Sequence, residues 1–166
     1  MFVTNKAEYK KKFSLVVSKS VQEVFHNYRQ TELNHLEACG VLIGNHKING
    51  NIIYLKFATI PQTNDLRRKH SFKLDSSSHQ SILDKHFLIS KYEDVYIGTW
   101  HTHPEDNPKP SKIDIIDWKK QYKANHQLFD KMIFAIIGIR NTNFWIIENN
   151  NLSTLIKRSI KYEKDN

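Results

Sequence analysis

Apolar and polar positions along this chain alternate in some stretches and recur at helical spacing in others, so the order of elements mixes α and β. Phe13 to Val17 alternates and branches like a first strand. Ser20 is then placed to cap a helix in which Val21, Val24, Phe25 and Tyr28 recur on one face. Strands are expected at about 38–44 and 51–60, joined as a hairpin through Asn45 to Asn49 and closed by Pro61. Residues 62–74 are polar and basic, show no period, and read as a loop. Asp75 to Ser78 caps a second helix running to about Ser90 through Ile82, Leu83, His86 and Phe87. A buried strand over 95–101 follows, then a proline-broken loop and a helix from Ser111 to about Ala124 with Trp118 and Tyr122 on its core side. Two strands, at 131–139 and 143–148, come after it. Asn141 to Asn143 and Glu148 to Asn151 have turn chemistry, and the chain past about 156 is expected to fray or to form a last helix.

Two neighbouring patterns carry chemistry. On the strand that ends in Trp100-His101-Thr102-His103, alternate side chains share a face, so His101 and His103 point the same way and Thr102 points the other. Pro108 and Pro110 then break regular structure, and Ser111-Lys112-Ile113-Asp114 opens a helix as an N-cap with an acid at the third helical position. Asp114 therefore starts a helix aimed at the two imidazoles. Two neutral imidazoles and a carboxylate suit zinc, and three protein ligands leave one tetrahedral position open, as hydrolytic sites require. Such chemistry also needs a carboxylate to carry a proton from water to the leaving amine. Glu37 is the candidate, because it stands at the mouth of the glycine-framed apolar run Ala38 to Gly44, where partial burial raises an acid's pKa.

These residues resemble the JAMM (JAB1/MPN/Mov34) zinc isopeptidases, whose signature is an upstream glutamate and then His-x-His-Pro, six residues, Ser-x-x-Asp. The resemblance covers roughly residues 13–150 and every fixed position of the signature is matched. The wording at 98–105 and 110–118 looks most like bacterial JAB proteins of integrative-element and anti-phage (CBASS) operons. The resemblance implies a single-domain, cytidine-deaminase-like α/β (α+β) fold with a central mixed β-sheet flanked by helices. It implies His101, His103 and Asp114 as zinc ligands, Glu37 as general acid/base and Ser111 as the donor to the tetrahedral oxyanion. It also implies a protein substrate with an extended C-terminal tail, such as a ubiquitin-like protein or a cGAS-like nucleotidyltransferase joined to its target. One departure stands out: Cys39 replaces the first of two glycines that often follow the glutamate, which puts the local backbone shape in question.

Composition narrows the setting. At 166 residues the chain is long enough for one domain with a real core and too short for two of ordinary size, so residues 1–166 are expected to form one domain. No segment approaches the roughly 20 apolar residues of a membrane span, and the amino terminus lacks an apolar signal region, which makes a cytoplasmic protein the expectation. A lone cysteine excludes an internal disulfide framework, and Cys39 reads as a small buried hydrophobe. The net charge of +8 is spread over Lys6 to Lys12, Arg67 to Lys69 and Lys157 to Lys164 without stacking aromatics, so it reads as solvated surface rather than a nucleic-acid footprint.

The other histidines lack ligand spacing and read as surface or capping residues, although His35, two positions before Glu37, is placed where it could face the cleft. Trp100 reads as a packing wall. Three alternatives to deconjugation stay open on sequence: processing of a ubiquitin-like sulfur-carrier protein, a non-catalytic scaffold of the same fold, and nucleic-acid binding. Whether the chain acts as a monomer or a dimer is not encoded in any of these patterns.

Overall fold

In the strand Lys131–Ile137 every residue is buried, and side-chain parity divides them between two cores. Met132, Phe134 and Ile136 join Trp118, Tyr122, Trp145 and Ile147 on one face. Ile133, Ala135 and Ile137 join Leu15, Val21, Phe25, Leu42, Trp100 and Phe144 on the other. A strand covered on both faces must lie inside a sheet with layers above and below it.

The computed structural model describes residues 13–47, 51–127 and 130–155, with the backbone of 160–162. Its elements in chain order are β1 (Ser14–Val17), α1 (Lys19–Asn27), β2 (Cys39–Lys47), β3 (Ile52–Ala58), β4 (Leu66–Arg68), β5 (Ser71–Lys73), α2 (Ser76–Ile89), β6 (Val95–Thr102), α3 (Lys112–Asn125), β7 (Lys131–Ile137), β8 (Thr142–Glu148), β9 (Asn151–Leu155) and β10 (Ile160–Tyr162). Eight strands form one mixed sheet in the order β10-β1-β3-β2-β6-β7-β8-β9, and β4 and β5 make a separate hairpin. Helix α1 packs into the first core through Val21 and Phe25, and α3 into the second through Trp118 and Tyr122. Trp118 stacks on Phe134 with ring centroids 4.8 Å apart, which anchors α3 beside the C-terminal end of β6. The expected mixed α+β class and central sheet are present.

The departures from the sequence pattern have local causes. Ser18, not Ser20, caps α1: its Oγ accepts the Val21 amide at 3.3 Å, while Ser20 lies in the first turn and donates to the Lys56 carbonyl. Strand β2 continues through Asn45 to Lys47, which pair with Tyr54 to Ile52, so the turn starts later than the polar residues suggest. The segment read as a loop holds the β4–β5 hairpin, hidden from the pattern because each strand is only three residues long and mostly exposed. Thr142 and Asn143 belong to β8, not to a turn, whereas Asn149 and Asn150 make the tight β8–β9 turn with φ of 51° and 63°. No last helix forms at 160–162, where β10 pairs in parallel with β1. The clusters at Lys6 to Lys12 and Lys157 to Arg158 lie outside the described residues. Among the described residues no helix is long and apolar enough to cross a membrane.

Candidate metal centre

Strand alternation does to His101 and His103 what the sequence requires of it. His103 extends the ladder of β6 by donating its amide to the Ile137 carbonyl at 3.0 Å, so both imidazoles leave the same face. The chain then turns away, and the loop is sewn to the β7–β8 connection: Ile139 N to Glu105 O at 2.7 Å, Asn141 N to Asp106 O at 3.0 Å, and Asn143 Nδ2 to Pro108 O at 2.9 Å. The approach is so close at Gly138 that a Cβ there would collide with the Glu105 carbonyl and the Pro108 ring. The loop delivers Ser111 to the N-cap of α3, where a reciprocal capping box closes. Ser111 N donates to Asp114 Oδ2 at 2.6 Å, and Asp114 N donates to Ser111 Oγ at 3.1 Å. The cap therefore fixes Oδ2 of the carboxylate, on the side of His103, and turns Oδ1 toward His101.

The resulting cluster has the dimensions of a tetrahedral cation cage. His101 Nε2 and His103 Nε2 lie 3.1 Å apart, His101 Nε2 lies 3.3 Å from Asp114 Oδ1, and His103 Nε2 lies 3.7 Å from Asp114 Oδ2. Bonds of about 2.0–2.1 Å to a tetrahedral zinc ion place ligand atoms about 3.3–3.4 Å apart, close to the separations of His101 Nε2 from His103 Nε2 and from Asp114 Oδ1, while His103 faces the other carboxylate oxygen; the donor set suits the ion. His103 Nδ1 is buried without a well-formed hydrogen bond and leans toward the Lys109 carbonyl, the kind of acceptor that orients a ligating histidine.

Glu37 reaches the same place from the opposite side. Its carboxylate lies 3.6 Å from His103 Nε2, and Glu37, His101 and His103 also form a group able to hold an ion, with ligand atoms within 4.8 Å of one another. The β4–β5 hairpin holds its backbone: Glu37 N donates to Arg68 O at 2.8 Å, and Arg67 donates to the Glu37 carbonyl at 2.6 Å and the Leu36 carbonyl at 3.2 Å. Phe72, from the same hairpin, packs its ring 5.1 Å from that of His101. Cys39 in place of a glycine causes no distortion, because it lies in regular β2 opposite His101. Gly40 is the position with no room, since a Cβ there would meet Thr59 and the Trp100 indole that donates to the Thr59 carbonyl. All five sequence-predicted site residues are thus brought to one place.

The two carboxylates are driven apart in acidity. Burial, together with the nearby Asp114 charge, pushes Glu37 up to about 8. Burial would also raise Asp114, but the hydrogen bond and charge of His101 and the two bonds from Ser111 hold it well below the usual carboxylate range. Burial and the neighbouring His101 lower His103, which keeps its ring neutral. Cys39 is inert, its thiol pushed up to about 12 by burial and by Asp65.

A cleft of about 1290 Å³ runs past the cluster between the β4–β5 hairpin and α2 on one side and α3 on the other, with His103, Glu37, Ser111 and Asp114 in its wall. This exceeds the volume usual for small-molecule pockets and suits an extended peptide. His35 takes no part: it is exposed and its ring bonds to the Arg29 carbonyl. His79, expected at the surface, is instead buried at 1% exposure, with Nε2 3.1 Å from Asp65 and Nδ1 2.6 Å from the Thr59 hydroxyl. It ties α2 and the base of the hairpin to the sheet. Its neighbours in sequence are serines and glutamine, so nothing local marked it, and the same holds for Arg67 in its basic run. Trp100 and Trp118 are buried as expected.

Residues 18–148 match the model of the prokaryotic homologs of the JAB domain. A CD-NTase/cGAS isopeptidase of Escherichia coli (strain TW11681) is 33% identical over 132 residues, covering 80% of each chain. One of Pseudomonas aeruginosa (strain BWHPSA011 / Pa011) is 34% identical over 103 residues, 62% of this chain, and the match spans 64% of that relative's length. Among solved structures, protein DSY2949 of Desulfitobacterium hafniense superposes with a TM-score of 0.60 over 91% of this chain and 94% of its own, at 20% identity, which bears on the fold alone. With its signature side chains gathered at one site and the match spanning most of its length, the chain belongs to the prokaryotic homologs of the JAB domain.

Proposed function

We propose that this chain is a zinc isopeptidase that hydrolyses the amide joining the C-terminus of a cGAS-like nucleotidyltransferase to the protein on which it has been conjugated, in a cytoplasmic anti-phage system. The observation that carries the reading is the pair of carboxylates with opposed acidities on either side of two imidazoles. His101, His103 and Asp114 are the ligand set, because Asp114 stays charged and contacts both rings. A zinc ion held there supplies Lewis acidity toward the scissile carbonyl and toward water. Glu37, with its raised pKa, takes the proton from the attacking water and returns it to the departing amine. Ser111 uses its Oγ lone pair for the Asp114 amide, which leaves the hydroxyl proton to donate to the developing oxyanion.

The substrate tail lies extended in the cleft, pairing with the open edge of β5. Among the described residues β5 has a strand partner on one side only, and residues 70–74 line the cleft. The relatives named as CD-NTase/cGAS isopeptidases supply the substrate class. The complete ligand set favours catalysis over a scaffold role. The test is a reporter fused to the C-terminal tail of a cGAS-like nucleotidyltransferase, with a sulfur-carrier tail in parallel. Wild-type protein should release the first, stop when chelated and recover with zinc, while His101→Ala should do nothing. Release that ignores the chelator would overturn the mechanism, and preference for the sulfur-carrier tail would overturn the substrate.

A further inference from the structure

One buried amide joins the segment before Glu37, the β4–β5 hairpin and the end of β6. Gln30, in the chain between α1 and Glu37, is 2% exposed. Its Nε2 donates to the His35 carbonyl at 3.3 Å and to the Lys69 carbonyl, at the tip of the β4–β5 hairpin, at 3.1 Å. Its Oε1 accepts from the Thr102 hydroxyl at 2.8 Å. Thr102 is fully buried and stands between His101 and His103, on the reverse side of the strand, where its Oγ1 accepts the Ala38 amide at 2.9 Å. A second bond joins the same segments, from Thr102 N to Ala38 O at 3.0 Å.

We infer that Gln30 and Thr102 act together as positioning residues that set Glu37 against the imidazole pair. Glu37 stands between His35 and Ala38, both of which this junction holds, and the hairpin that grips its backbone through Arg67 and Arg68 is held by the same amide. A small relaxation here moves the proton carrier relative to the imidazoles without touching either. Because displacements of about 1 Å can cost on the order of 10²-fold in rate, turnover should report it before substrate binding does. This inference rests on the proposed amide hydrolysis for its kinetic part only.

Two measurements on the full chain test it. Gln30→Met and Thr102→Val remove the hydrogen bonds while keeping the volume nearly constant. Each should lower kcat by about 10-fold to 10²-fold with KM and metal content unchanged, the double variant should be no worse than the poorer single, and Thr102→Ser should restore the rate. Unchanged kcat per metal-loaded molecule, or a loss confined to KM, would overturn the assignment. Independently of any substrate, hydrogen exchange in Gln30→Met should quicken together at 31–38 and 66–73. Quickening of one segment alone would also defeat the proposal, whereas failure of the wild type to cleave would count against the functional reading only. If Gln30→Met does not fold, the Thr102→Val and Thr102→Ser pair decides by the same criteria.

Discussion

The two arms of the site are encoded in different ways. The arm that carries His101, His103, Ser111 and Asp114 is written within 14 residues, by strand alternation and then a capping box. The arm that carries Glu37 depends on partners about 30 residues away, in a hairpin whose own strands are three residues long. The ligand arm therefore assembles from local rules and the acid arm from tertiary contacts. On the proposed mechanism the cation cage and the proton carrier should therefore be separable.

Replacing Glu37 by Gln gives the largest expected effect that leaves the cage intact. General acid/base catalysis typically contributes about 10²–10⁴-fold, so kcat should fall by that factor while the protein still binds one equivalent of zinc. Metal analysis alongside the rate separates the arms: zinc lost together with the rate would make Glu37 a ligand, as its place 3.6 Å from His103 Nε2 would also permit.

Ser111 sharpens the comparison within the local arm, because the proposed mechanism adds a chemical role to its place as the cap of α3. Ser111→Ala should lower kcat by about 10²-fold through the lost oxyanion donor. It should also cost about 1 kcal/mol through the lost cap of α3. Ser111→Asp retains an accepting cap and has no proton to donate at neutral pH, so thermal unfolding should recover while turnover does not. Recovery of both would reduce Ser111 to a helix cap.

This contrast explains what could be read in the chain itself. Strands β1 to β3 and β6 to β8, the α3 cap and the convergence of His101, His103 and Asp114 follow from periodicity and short spacing and appear close to where expected, whereas β9 and β10 were not marked by the pattern. The acid arm was legible only as a residue at the mouth of a strand. Nothing near Arg67 signals that it will grip the Glu37 carbonyl, and nothing near Gln30 or His79 signals burial, because their partners lie as far away as Thr102 and Thr59. The β4–β5 hairpin was missed for a related reason: its alternation is too short to stand out, and it is stabilised by docking to the Glu37 backbone. Ser18 took the capping role from Ser20 because a tertiary partner, the Lys56 carbonyl, holds both hydroxyls.

The last expected effect concerns the stability of the metal-free protein, and its sign follows from the acid arm. An unfolded glutamate ionises near 4.3, whereas folded Glu37, desolvated and beside Asp114, ionises at about 8. Between those values the folded state holds a proton that the unfolded state has released. The stabilisation is therefore complete below about pH 4.3 and is lost as pH rises through about 8, the whole span amounting to a few kcal/mol. Glu37→Gln removes the titration, so the metal-free variant should match the wild type near pH 5 and be more stable near pH 8, as urea unfolding in the presence of chelator would show. A bound cation favours the ionised carboxylate beside it, so added zinc should flatten the wild-type slope. Equal slopes for the metal-free wild type and variant would mean that Glu37 is hydrated in solution, and the separation of the two arms in acidity would lose its physical basis.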